Sequence, residues 1–353
     1  MPRPFLRALA PSLVVLLTPL TVARAQWVAQ SAPTDAELRG LSVVSPSVVW
    51  ASGAHGTVLH TRDGGATWIR DSVPGASRLD FRAIAATSAR TAHVLSIGDS
   101  SRIYRTTNGG RSWSLRFTST RAGSFFDAIQ FWDARHGIAM SDPVDGRFLL
   151  ITTNDGGTTW TPVPAERVPP ALAGEGAFAA SGTCLVVRGR SDVWLVSGGA
   201  ATARVYHSPD RGRTWSVVET PIRAGVASAG IFSIAFADAL HGVVAGGDYQ
   251  QPSLRGRNVA TTSDGGRTWI AADSAQSPLG YRSAVAYWPN SNGRRVIAVG
   301  LTGTDTSSHG GRSWATTDTV AYNSVALIAD GRRCVRGWAV GPRGRIGTVR
   351  RCE

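Results

Sequence analysis

The sequence predicts an all-β fold: a seven-bladed β-propeller of four-stranded antiparallel blades, closed by an N-terminal strand that completes the last blade. Three observations lead there. Seven tryptophans, Trp27, Trp68, Trp113, Trp160, Trp215, Trp269 and Trp314, recur at intervals of 41, 45, 47, 55, 54 and 45 residues. Six of them end the same eight-residue turn. Between the turns lie short stretches with strand-type alternation, and the chain after residue 25 shows no sustained helical period. Four short strands per 40–55 residues is the arithmetic of a propeller blade.

The turn is first met cleanly at Thr61-Arg62-Asp63-Gly64-Gly65-Ala66-Thr67-Trp68. Its third position holds Asp63, Asn108, Asp155, Asp210, Asp264 and His309 in the six copies, and its fifth is always glycine. A short acceptor side chain there bonds backbone N–H groups of its own turn. The glycine supplies φ > 0. Since the acid relaxes to Asn108 and His309, these residues are expected to be structural. The pattern resembles the BNR or Asp-box repeat, [ST]-x-D-x-G-x-[ST]-W.

Each unit continues in a regular order. In the fifth, Phe232–Ala237, His241–Gly246 and Asn258–Thr262 are three strands before the box, and the residues after Trp269 are a fourth. After Trp314 three strands remain, near 322–328, 335–340 and 345–350, and no tryptophan follows. Gln26–Pro33 reads like the strand that follows a box, so it supplies the missing fourth strand. Closing the ring this way removes most exposed sheet edges. In that last unit Gly341-Pro342-Arg343-Gly344 is a hairpin turn, which sets Cys334 opposite Cys352 and predicts a disulfide at the chain end. Cys184 is expected to be a buried small hydrophobe. No spacing resembles a metal site, and nothing points to a cofactor.

The first 25 residues are expected to be a secretory signal, with Arg3 and Arg7, an apolar run over Ser12–Val22, and Ala23-Arg24-Ala25 before Gln26. Residues 26–353 would then be one propeller domain, exported to the periplasm or secreted, with no transmembrane segment after cleavage. The sequence has 37 basic residues, all arginine, against 24 acidic ones, a net charge of +13. The arginines are scattered and most tryptophans occupy repeat slots, which argues against a nucleic-acid partner. A monomer is expected.

Geometry of a four-stranded blade puts every box on one rim. The second-to-third-strand loops and the blade-to-blade connections lie on the other, around the mouth of the central channel. The polar residues expected on that binding rim are Arg39, Arg82, Asp127, Glu175, Tyr281, Arg282 and Tyr322 at the blade starts. Asp99, Asp142, Asp248 and Tyr249 are expected in the loops. Arginine, carboxylate and tyrosine around a concave mouth suit a polar ligand or a peptide segment. His136 and His241, each in a His-Gly turn, belong to the repeat architecture, and no Ser-His-Asp arrangement is apparent. Two stretches are longer than the repeat requires, 161–176 and 248–258.

The units Phe81-Arg82-Ala83-Ile84, Gly337-Trp338-Ala339-Val340-Gly341 and the T-x-D-G-G-x-T-W boxes resemble the family of photosystem II assembly and stability factors. That resemblance implies an exported seven-bladed propeller that acts by binding a protein or peptide partner in the cell envelope, with arginines near the channel mouth. Arg39 and Arg82 match that patch, and Asp127 departs from it. Two other readings compete. Sialidase-like glycoside hydrolases also carry Asp boxes, so an enzyme remains an alternative, although the F/Y-R-I-P signature is missing and seven blades exceed their six. A polysaccharide-binding propeller is the third. An enzyme of this kind needs a carboxyl pair flanking an open cleft.

Overall fold

A computed structural model describes residues 27–98 and 100–352. The signal-like segment 1–25 and Asp99 lie outside the described residues. The described chain folds into seven four-stranded antiparallel sheets, arranged as successive blades. The innermost strands of blades one to seven are Leu38–Val43, Phe81–Ala86, Phe126–Phe131, Leu185–Arg188, Ala229–Phe236, Ala284–Tyr287 and Ser324–Ala329. In six blades the remaining three strands follow in sequence order. In the seventh the outer place is taken by Val28–Gln30, which pairs with the last strand, Ile346–Cys352. The register is Val28 opposite Thr348, Ala29 opposite Gly347 and Gln30 opposite Ile346.

Side chains fix this closure. The Trp27 indole is buried, donates from Nε1 to Thr304 Oγ1 at 3.0 Å, and packs against Tyr322 at 5.4 Å. Gln30 accepts from Trp68 Nε1 and donates to the Gly64 carbonyl, joining the closing strand to the first box. Cys334 and Cys352 face each other in the ladder and are joined by a disulfide. Cys184 is free and buried, just before its blade's first strand.

The boxes work as turns. In the first, Asp63 accepts from the Thr67 N–H at 2.9 Å, the Thr67 hydroxyl at 2.5 Å and the Thr61 hydroxyl at 2.8 Å. These bonds hold its carboxyl well below the usual range. Asp155, Asp210 and Asp264 repeat the pattern. Asn108 keeps the acceptor half through its Oδ1, bonded to the Ser112 N–H at 3.0 Å. His309 keeps a side-chain contact, Nδ1 to Ser313 Oγ at 2.8 Å. The fifth-position glycines all have positive φ, from 78° at Gly157 to 94° at Gly65. The fourth position is left-handed too, and in the fourth blade it is filled by Arg211 at φ 62°.

One segment breaks the repeat. In the fourth blade the residues ahead of the short inner strand run across the channel. The Ala180 carbonyl accepts from Arg39 of blade one at 3.2 Å. Ser181 Oγ donates to the Ser283 carbonyl of blade six at 2.8 Å, and the Gly182 carbonyl accepts from Gln130 of blade three at 3.4 Å. Thr183 Oγ1 donates to Ser233 of blade five at 2.7 Å. Residues 179–182 are buried, so the chain plugs its own channel with small side chains. Gly198 and Gly230 make room beside the plug: a Cβ on Gly198 would lie 2.5 Å from the Gly230 Cα.

Candidate functional site at the channel mouth

Four inner strands carry a register shift at the same place, between Leu38 and Gly40, Phe81 and Ala83, Phe126 and Ala128, and Ile231 and Ser233. The skipped residues are Arg39, Arg82, Asp127 and Phe232. A bulged residue leaves the ladder and its side chain is re-aimed. All four line one cavity of about 340 Å³ at the mouth, together with Tyr249, Tyr281 and Asn323. The plug residues Ala177, Phe178, Ala179 and Ala180 form part of its wall.

The cavity has two sides of different character. On one, Phe178 stacks on Phe232 at 3.9 Å, and Tyr249 meets both edge-on at 6.5 and 6.2 Å. Tyr281 meets Phe232 edge-on at 4.7 Å. Tyr249 is the accessible member, 45% exposed. On the other side stand the guanidiniums. Arg39 is bonded to Glu37 at 2.7 Å and Arg82 to Asp80 at 2.8 Å, so each brings its own counter-charge.

Asp127 is different. It lines the cavity, only 1% of it is exposed, and neither carboxylate oxygen has a hydrogen-bond partner. Burial, with the Asp142 carboxyl next in importance, pushes its carboxyl well above the ordinary range, against the pull of Arg82 and of the nearby Asp142 N–H, which itself donates to the Phe125 carbonyl at 2.9 Å. Asp142 stands behind the mouth, accepting from the Ala177 N–H of the plug at 2.7 Å, and burial pushes it up to about 6.

Arg39, Arg82, Asp127, Tyr249 and Tyr281 therefore converge, and Asp142 lies next to them. The other expected rim residues do not reach the mouth. Glu175 is buried, ion-paired with Arg204 and bonded by the Ser197 hydroxyl, because the long connection before it folds over blade four. Arg282 is fully buried, its Nε 2.6 Å from Asp305, and burial lowers its pKa. Tyr322 turns into the core beside Trp27, where burial pushes its hydroxyl up to about 12. Asp248 is buried at the end of its strand, opposite Ala229, and accepts from the Gln250 N–H at 2.9 Å. In each case a nearer intrachain partner outcompetes solvent at the rim. Phe178, Phe232, Phe125 and Asn323 were missed. Phe232 had a signal, since it holds the repeat slot of Arg39, Arg82 and Asp127.

Larger grooves of about 490, 460 and 400 Å³ lie on the opposite rim. Each is lined by box residues of one blade and by residues of its neighbour, such as His309 of the sixth blade with His241 of the fifth. His241 and His136 are held by Asp238 and Asp133 at 2.8 Å. The blade repeat itself generates such grooves.

Residues 20–121 match the family model of the photosynthesis system II assembly factor YCF48. Among solved structures, YCF48 bound to D1 peptide superposes with a TM-score of 0.64 at 18% identity, covering 92% of this chain and 96% of that one. YCF48 from Cyanidioschyzon merolae gives 0.62 at 19%, covering 92% and 98%. Residues 20–121, under a third of the chain, carry the sequence likeness to photosystem II assembly factors. A comparison with curated proteins gives no sequence match. The GH74 enzyme of Niastella koreensis also resembles the fold, with a TM-score of 0.59 at 14% identity, covering 87% of this chain and 51% of that enzyme. At these identities the structural likeness speaks to architecture, and function has to be argued from the site. Among the described residues no helix is long and apolar enough to cross a membrane.

Proposed function

We propose that this chain is an exported, non-catalytic binding scaffold that takes a segment of a protein partner at the channel mouth, on the rim opposite the boxes. The observation that carries the reading is the convergence of Arg39, Arg82, Asp127, Tyr249 and Tyr281, from four blades and a loop, on one cavity of about 340 Å³. Exposed tyrosine, stacked phenylalanines and arginine are the residue types that anchor peptide segments. The YCF48 structure with a D1 peptide is a precedent for a peptide-binding propeller of this architecture. Residues 1–25 read as the export signal and 26–353 as the working domain, a monomer of the cell envelope.

The hydrolase alternative has less to stand on. A glycosidase needs two carboxyls flanking an open cleft, whereas among the described residues Asp127 is the one acid lining the cavity, and Asp142 stands behind it on the Ala177 N–H. Glu175 is committed to Arg204.

Photo-crosslinking is the test. A photoreactive phenylalanine at position 249 of chain 26–353, exposed to the native envelope fraction, is expected to capture a defined segment of an envelope protein. Arg39→Ala with Arg82→Ala should abolish capture. Equal capture by the double variant, or by a probe placed on the box rim at Ile270, would refute binding at the mouth. Release of sugar from an envelope glycan panel would favour the hydrolase.

A further inference from the structure

The cavity contains more hydrogen-bonding capacity than its own residues use. Both oxygens of Asp127 lack a partner although the residue is buried, which costs free energy unless a ligand supplies a donor. The charge around it also leans one way. Among the described residues Arg39 and Arg82 are answered by Glu37 and Asp80, so an ionised Asp127 leaves two guanidiniums against three carboxylates, one net negative charge. Asp142 behind it adds a second acid on the same side. The same cavity is lined by the aromatic rings of Phe178, Tyr249 and Tyr281, a side-chain type that attracts cations and accommodates an alkyl stem.

We propose that the inner end of this cavity is a subsite for a primary ammonium group, the side chain of a lysine in the bound segment. The alkyl stem lies along Phe178 and Tyr249, and the ammonium meets Asp127, whose carboxylate turns about its Cα–Cβ bond to receive it. The identification of the ligand as part of a peptide rests on the proposed scaffold function; the ammonium site itself does not. Binding is proton-linked. Free Asp127 holds its proton above the ordinary carboxylate range, so the cation displaces that proton and affinity rises with pH. The charged and titratable groups facing Asp127 are Arg82 from blade two, Asp142 from its own blade and Cys184 from blade four, with Arg39, Tyr249 and Tyr281 around the cavity.

The probe is n-butylammonium, added to chain 26–353 carrying 13C-labelled aspartate and followed by NMR. It is expected to shift the Asp127 carboxyl resonance toward the ionised form and to perturb the Tyr249 ring. Binding should weaken about tenfold or more in Asp127→Asn, the loss typical of a charge-assisted hydrogen bond. It should also weaken in Tyr249→Ala, an exposed site whose change leaves the fold intact. n-Butanol should leave the Asp127 resonance unmoved. Equal amine binding by Asp127→Asn, no response to amine, or response to butyrate instead would each overturn the ammonium assignment. Crosslinking at position 249 is read separately, so a working scaffold without an amine site is distinguishable from a failed scaffold.

Discussion

Replacing Trp27 by alanine attacks the ring where its two ends meet. The indole is 9% exposed, it packs on Tyr322, and its Nε1 bonds Thr304 in the neighbouring blade. Truncating a buried tryptophan costs about 3–5 kcal/mol, and the orphaned Thr304 hydroxyl adds about 1 kcal/mol. A total of about 5 kcal/mol is expected. For a ring of roughly 330 residues the unfolding entropy is about 0.7 kcal/mol/K, which converts the loss to a fall in Tm of about 7 °C. The assay is urea denaturation and thermal melting by circular dichroism of residues 26–353. Trp215→Ala is the control, since that indole is half-buried and bonds the Gly212 carbonyl inside its own turn. It should cost about 1–2 kcal/mol, in line with partial burial. If Trp27→Ala melts within 1 °C of the parent, or costs no more than Trp215→Ala, closure by the N-terminal strand does not stabilise the ring as argued.

Three further outcomes are expected. Asp127 and Asp142 are both raised by burial, so the folded chain keeps protons that the unfolded chain releases above about pH 4. Stability should therefore fall as pH rises through 4 to about 6, and further while Asp127 stays protonated, by up to about 1.4 kcal/mol per pH unit per group. Asp127→Asn should flatten that fall in urea titrations from pH 4 to 8, and an unchanged pH profile would contradict it. Reducing the Cys334–Cys352 bridge, which spans 18 residues, should cost about 3 kcal/mol, read as a lower urea midpoint and earlier hydrogen exchange in the closing blade. Arg211→Gly, relieving a left-handed arginine at φ 62°, should gain about 0.5–1 kcal/mol despite losing the Arg211 bond to the Arg190 carbonyl.

Much of the architecture was legible because its causes are local. An acceptor, a glycine and a hydroxyl within eight residues make the turn, and Thr61, Asp63, Gly65 and Thr67 bond one another without help from distant chain. Counting tryptophans then sets the number of blades, and the leftover strands at 322–350 require a partner that only Gln26–Pro33 supplies. The pairing of Cys334 with Cys352 likewise follows from one hairpin turn. The slot shared by Arg39, Arg82 and Asp127 was visible as repetition, although the bulge that turns those side chains inward was not.

Tertiary structure decided which polar residues face the mouth. Glu175, Arg282 and Tyr322 occupy blade starts as Arg82 does, but Arg204, Asp305 and Trp27 lie closer to them than solvent. Those partners are 29, 23 and 295 residues away, each on or beside another strand of the same blade, and the repeat does not fix which side chain stands there. The plug was hidden for the same reason. Ala179–Thr183 reads as a bland small-residue stretch, and its meaning comes from contacts with Arg39, Gln130, Ser233 and Ser283 on four other blades. By itself the sequence determined a closed seven-fold ring, because a turn and a strand period are short-range properties. The ring then determined the site, because only its curvature brings four bulges and a crossing segment around one cavity.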